Sequence, residues 1–113
     1  MSDCLFCKIV NGIIPANKVL ENDDFLAFRD ISPQAPVHVL VIPKKHFEDI
    51  SELSQKDLEL SAGLMKTATE VAKVEKLDAG FRIVLNTGED GGQTVQHVHA
   101  HVLGGRGLAW PPG

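Results

Sequence analysis

The run Gln96-His97-Val98-His99-Ala100-His101-Val102 alternates imidazoles with small apolar side chains. A period of two belongs to a β-strand, whose successive side chains point to opposite faces. His97, His99 and His101 therefore share one face, and Val98, Ala100 and Val102 share the other. At a rise of roughly 3.3 Å per residue, neighbouring imidazoles stand about 6.6 Å apart. The strand is expected over Val95–Leu103, ended by Gly104-Gly105. A lone strand histidine is usually structural. Here three of five histidines stand at alternate positions beside the Gly-rich loop Asn86–Gly92, which points to chemistry rather than a solvated face.

The rest of the chain supplies partners for this strand. Lys18–Leu20 and Phe25–Arg29, joined by the polar turn Glu21-Asn22-Asp23-Asp24, read as a hairpin. Asp30–Pro36 holds two prolines and is expected to be an extended loop. Val37–Ile42 is β-branched and ends at Pro43, and Phe81–Leu85 is a further strand. Cys4–Val10 reads as a short helix capped by Asp3, broken by Gly12 and Pro15. Ser54 and Asp57 form a capping-box pattern ahead of one long helix, with Leu58, Ala62, Met65, Ala68 and Ala72 on its apolar face. No regular helical crossovers join the strands. The expected class is therefore α+β: a five-stranded, mostly antiparallel sheet with one long helix and a short N-terminal helix.

With 113 residues, the chain has the length of a single domain, taken as 1–113. Its net charge of −4 argues against a basic stripe for a nucleic-acid backbone, so nucleic acid is not expected as a partner. A pocket for one small phosphate ester needs only a few donors and is not excluded. No apolar run approaches the roughly 18 residues of a membrane span, and no membrane partner is expected. The N-terminus carries Asp3 and no long apolar stretch, which does not read as a signal peptide, so the cytoplasm is the expected location. There Cys4 and Cys7 stay reduced. A C-x-x-C pair is half a metal site or a redox motif, and with no strand ahead of Cys4 the metal reading is favoured.

The histidine row allows two kinds of chemistry. All three imidazoles could hold one ion, or one could act as a nucleophile oriented by the others. Spread along a strand, the three do not easily reach one ion. A mixed arrangement fits better, with an end histidine on a metal and the middle one doing chemistry.

The stretch HVHAHV matches the pattern of the histidine triad (HIT) family, and the resemblance runs over nearly the whole chain. AFRDISPQAPVHVLVIPKKH, NTGEDGGQTVQHVHAHVLGGR and the terminal WPPG each resemble family segments, in the family's order. The terminal Trp110-Pro111-Pro112-Gly113 resembles the Hint branch, the histidine triad nucleotide-binding proteins, more than the Fhit-like hydrolases. The resemblance implies the HIT fold, a homodimer, and hydrolysis of purine nucleoside 5′-phosphoramidates to the monophosphate and an amine.

It also implies roles for individual residues. His99 would be the nucleophile at the α-phosphorus, forming a nucleotidyl-histidine, and His101 would hydrogen-bond a phosphate oxygen. Thr94, Asn86 and backbone N–H groups near Gly92 and Gln93 would contact the phosphate or leaving group. Asp30 would hold the ribose hydroxyls. Phe6, Ile9, Phe28 and Ile31 would line the base pocket, His38 would stand beside the triad, and Trp110 would approach the partner's site. Cys4, Cys7, His46 and His97 resemble a structural Cys₂His₂ zinc set, an ion not needed for the catalytic step. Arg29 and Gln96 stand where some relatives carry His and Tyr. Other readings stay open: a dinucleoside polyphosphate hydrolase or nucleotidyltransferase, and a nucleotide-binding regulatory protein.

Overall fold

Alternation along the strands builds two cores on one sheet. In the computed structural model, which describes residues 3–113, the strands are β1 (Lys18–Glu21), β2 (Phe25–Arg29), β3 (Val37–Pro43), β4 (Phe81–Val84) and β5 (Ala100–Gly104). Their order is β1-β2-β3-β5-β4, and every pairing is antiparallel. The expected five-stranded α+β arrangement is met. Met1 and Ser2, the first positions of the expected domain, lie outside the described residues.

The helices are α1 (Leu5–Val10), α2 (Ile50–Lys56) and α3 (Leu58–Val74). Phe25, Ala27, Val39, Val41, Val98, Ala100 and Val102 belong to the core under α3. Their strand neighbours Leu26, Phe28, Leu40 and Ile42 belong to a smaller core with Phe6 and Ile9 of α1. The sheet is therefore apolar on both faces, with α3 covering one and α1 covering part of the other. No described helix is long and apolar enough to cross a membrane.

Three local expectations change. The α1 cap is Cys4, not Asp3: its Sγ accepts from the Cys7 N–H at 3.3 Å. The single helix expected after a Ser54/Asp57 box is two helices. Asp49 caps α2 by accepting from the Glu52 N–H, while Ser54 lies inside α2. Asp57 ends α2 and caps α3 itself, accepting from the Leu60 N–H at 2.9 Å. The buried face of α3 is Ser61, Leu64, Thr67, Ala68, Val71 and Ala72, whereas Leu58 is 73% exposed. Leu64 and Val71 set the phase, because the larger side chains gain most from burial.

The third change concerns the histidine strand. Ladder pairing begins at Ala100, opposite Val41, rather than at Val95. Residues 95–99 form no regular strand, and Val98 instead donates its N–H to the Phe47 carbonyl at 2.8 Å. Alternation persists through this stretch because Val98 is still drawn into the core under α3.

Candidate active site and metal cluster

His97, His99 and His101 lie on the α1 side of the sheet, as their alternation with Val98, Ala100 and Val102 requires. The rings of His99 and His101 are 5.0 Å apart, centroid to centroid. Burial pushes the basicity of His99 below the ordinary imidazole range, against the opposing pull of the His97 carbonyl and the Asp30 charge. His101 falls further, to about 4, through burial and then the neighbouring His99 and His38. His38, buried beneath His101, is lowered by burial and partly restored by Asp30. These imidazoles are therefore neutral at neutral pH, and each carries one ring proton.

Hydrogen bonds decide where those protons sit. A carbonyl only accepts, so His99 Nδ1 donates to the His97 carbonyl at 2.8 Å and Nε2 is left bare. The backbone N–H of Gln34 only donates, so His38 Nδ1 accepts it at 3.1 Å. The His38 proton is then on Nε2, which donates to His101 Nδ1 at 2.9 Å. The His101 proton is consequently on Nε2, on the far side of its ring. The row thus offers a bare nitrogen on His99 beside an N–H donor on His101. Chemically, that pairs a nucleophile or base with a donor for an oxyanion.

Asp30 completes this network, its Oδ1 accepting from the Ser32 N–H at 2.7 Å and its Oδ2 lying 3.5 Å from His38 Nε2. Asp30, His38 and His101 are close enough to suggest a cation cage. The Gln34 N–H argues otherwise, because the proton it places on His38 Nε2 occupies the nitrogen an ion would need. This group is a hydrogen-bond relay.

A cleft of about 510 Å³ opens over the row. Its walls are Leu5, Phe6 and Ile9 of α1, Phe28, Asp30 and Ile31 around the end of β2, Leu40 of β3, and Thr94, His99 and His101. That volume suits a small-molecule ligand, and the lining is apolar with a few polar groups at one end. Ile31 is 98% exposed at the rim. A second cleft of about 570 Å³ lies against Arg82 and Arg106, but contains no histidine. Both arginines there donate to backbone carbonyls, of Leu108 and Ala109 and of Gly107 and Gln34.

Cys4, Cys7, His46 and His97 come together on the other side of Phe6, with donor atoms all within 4.8 Å of one another. His97 Nε2 donates to the Pro43 carbonyl at 2.8 Å, which leaves Nδ1 bare. That Nδ1 lies 3.4 Å from Cys4 Sγ, 3.5 Å from Cys7 Sγ and 3.1 Å from His46 Nδ1. Tetrahedral zinc, with bonds near 2.0–2.3 Å, has ligand-to-ligand edges of roughly 3.3–3.8 Å. The four donors fit such an ion in chemistry and approximately in spacing. Burial, with the Pro43 carbonyl opposing, lowers His97 to about 4, so its nitrogen is available to a cation without losing a proton.

Other expected residues lie outside the cleft lining. Asn86 donates to the Gly91 carbonyl at 2.7 Å, bracing its own loop. Gly92, with φ of 78°, supplies the left-handed turn that closes that loop. The Gln93 side chain accepts from the Gly88 N–H and donates to the Glu48 and Val95 carbonyls. The Gly92 and Gln93 backbone N–H groups donate to the Glu89 and Gly88 carbonyls at 3.0 Å, so the backbone donors expected at the phosphate are engaged within the loop. Trp110 is 82% exposed near the C-terminus. Arg29, by contrast, lines the cleft and makes a paired contact with Glu75 at 2.7 and 3.0 Å, tying the end of β2 to the end of α3. Sequence reasoning missed Leu40, which pairs with His101 and shares its face. Alternation along β3 carried that signal. It also missed the Gln34 backbone N–H, for which residue type carries no signal.

A family model described as the HIT domain matches residues 11–108. A protein of Synechococcus elongatus, named an uncharacterized HIT-like protein, is 51% identical over 111 residues, covering 98% of this chain and 97% of that protein. A 14 kDa zinc-binding protein of Brassica juncea is 47% identical over 113 residues, covering 98% of this chain and all (100%) of its own. The crystal structure of a HIT family hydrolase from Legionella pneumophila Philadelphia 1 superposes with a TM-score of 0.94 at 51% identity, covering 98% of this chain and 100% of that one. The triad stretch, the antiparallel sheet that carries it and the match over most of the sequence agree: this chain belongs to the HIT domain family.

Proposed function

We propose that the protein hydrolyses purine nucleoside 5′-phosphoramidates through a nucleotidyl-histidine intermediate. The observation that carries this reading is the His99 tautomer: Nδ1–H is committed to the His97 carbonyl, and the bare Nε2 belongs to a cleft-lining imidazole. The name of the Legionella relative, a hydrolase, supports the coarser part of it.

In this mechanism the purine stacks among Phe6, Ile9, Phe28 and Ile31, and the ribose hydroxyls donate to Asp30. The α-phosphate then lies at His99, with one oxygen accepting from His101 Nε2–H and another group meeting the Thr94 hydroxyl. The His99 Nε2 lone pair forms a bond to phosphorus as the P–N bond to the amine breaks. The amine departs with that electron pair and gains a proton from solvent. His99 becomes cationic in this step. The His97 carbonyl and the Asp30 charge both favour that cation, and both already pull its basicity upward. Water then attacks phosphorus, its O–P bond forming as the P–Nε2 bond breaks, and loses a proton to solvent. Nucleoside monophosphate and neutral His99 result. Splitting one displacement into two in this way is covalent catalysis.

Zinc is the proposed occupant of Cys4, Cys7, His46 and His97, where a closed four-ligand set supplies a cross-link and no open position for substrate. The Brassica relative, named for zinc binding, supports that choice. A homodimer is part of the proposal, with the outer edge of β4 and the exposed Phe81 and Val74 as the face available to a second copy and Trp110 within its reach.

The test is AMP release from adenosine 5′-phosphoramidate by the native chain and by His99→Ala. Acid–base residues contribute about 10²–10⁴-fold, and loss of a nucleophile should equal or exceed that. A native chain that releases no AMP would overturn the activity. Turnover untouched by the substitution would overturn the role of His99.

A further inference from the structure

Helix α1 is gripped from two sides. Its cap Cys4 and its third residue Cys7 face His46 and His97. Its apolar side, Phe6 and Ile9, forms one wall of the cleft. Phe6 is only 4% exposed, and its ring stands edge-on to both His97 and His99, at 5.9 and 5.1 Å between centroids. One aromatic ring therefore touches the metal cluster and the cleft imidazole together. The helix has six residues, too few to hold their shape in water unaided. Even its capping group, Cys4 Sγ, is one of the cluster's own donors. Whatever binds the thiols is therefore set directly against the cleft wall.

We propose that cation binding at Cys4, Cys7, His46 and His97 and nucleotide binding in the cleft are coupled through Phe6, each strengthening the other. The proposal rests on the nucleotide reading of the cleft for its second ligand. Ordering α1 costs conformational entropy. The first ligand offsets that cost, and the second meets a wall already in place. Linkage then makes the effect reciprocal: zinc tightens the nucleotide by the same factor as the nucleotide tightens zinc.

The experiment uses the full chain, zinc and AMP. AMP is titrated calorimetrically into zinc-loaded and metal-stripped protein. Zinc affinity is measured by competition with a chromophoric chelator, with and without saturating AMP. The two affinity ratios should agree and lie within about 5–150-fold, the usual span of such coupling. Phe6→Leu retains all four donors, and its ratio should fall toward one. Equal AMP affinity with and without zinc overturns the coupling and leaves the nucleotide reading standing. No AMP binding to the zinc-loaded chain overturns both. A ratio unchanged in Phe6→Leu removes Phe6 as the conduit. If the stripped chain unfolds, chelator competition on the loaded protein still decides: zinc affinity indifferent to AMP overturns the coupling.

Discussion

His38 Nε2 lies 2.9 Å from His101 Nδ1, while the Gln34 backbone N–H lies 3.1 Å from the opposite nitrogen of His38. A single backbone N–H thus fixes two imidazole tautomers in series. Its consequence is that His101 presents a donor, not a lone pair, away from His38. His38→Ala removes that constraint without touching the cleft lining. Supporting residues of this kind are worth about 10–100-fold. The expected result is a fall in kcat of that order with KM little changed. A KM-dominated effect would place His38 in binding instead.

Stability should depend on pH in the acid range. His38 and His101 are both held below the ordinary imidazole value of 6.5, His101 at about 4. Between those values the unfolded chain binds protons that the folded chain refuses. Stability is therefore complete above about pH 6.5 and drains away as pH falls toward 4. Thermal melts across this range should show Tm rising with pH, and His101→Asn should flatten the slope. An unchanged slope in that variant would refute the assignment.

Replacing Cys7 with Ser exchanges a soft donor in the cluster for a hard one. Bound zinc should drop from about one per chain toward none, read by mass spectrometry under non-denaturing conditions. Hydrogen exchange should accelerate in Leu5–Val10 before it does in β3 or β5, because α1 is the element the cluster pins. Uniform acceleration through the sheet would mean that the cluster stabilises the whole molecule instead.

Gly63 lies inside α3, where alanine would ordinarily add about 1 kcal/mol of helix stability. A Cβ there would meet the Phe25 ring at 2.9 and 3.0 Å. Phe25 is buried in the core under α3, so moving its ring disturbs that packing, and overpacking costs about 1–3 kcal/mol. The second effect wins, so Gly63→Ala should lower stability by roughly 1 kcal/mol. Denaturant titration measures it, and a stabilised variant would mean that the ring slides aside.

Much of the arrangement was legible from residue type and spacing alone. The alternation in 97–102 placed the imidazoles and the core on opposite faces because burial of Val98 and Val102 enforces it. Residue type alone read the C-x-x-C pair as half a metal site; His46 and His97 joined it only through the family resemblance, and the structure brings the four together. What failed was local competition. Asp57 could end one helix or begin another, and it does both, so a single helix was expected where two exist. Cys4 displaced Asp3 as the cap, a position where acidic residues are the usual choice. The relay through Gln34 was invisible, because it uses a group that nearly every residue possesses.

The alternation of histidine with valine and alanine has one further effect. Sliding β5 by one position against β3 would press His101 under α3 and turn Ala100 and Val102 toward the cleft. Such a slip loses its oily interior and strands its polar row at once, so it has no compensating merit. Residues with no chemistry of their own thereby act as proofreaders of those that have it. Sequence drift at Val98, Ala100 or Val102 would therefore endanger the reactive row without altering a single histidine.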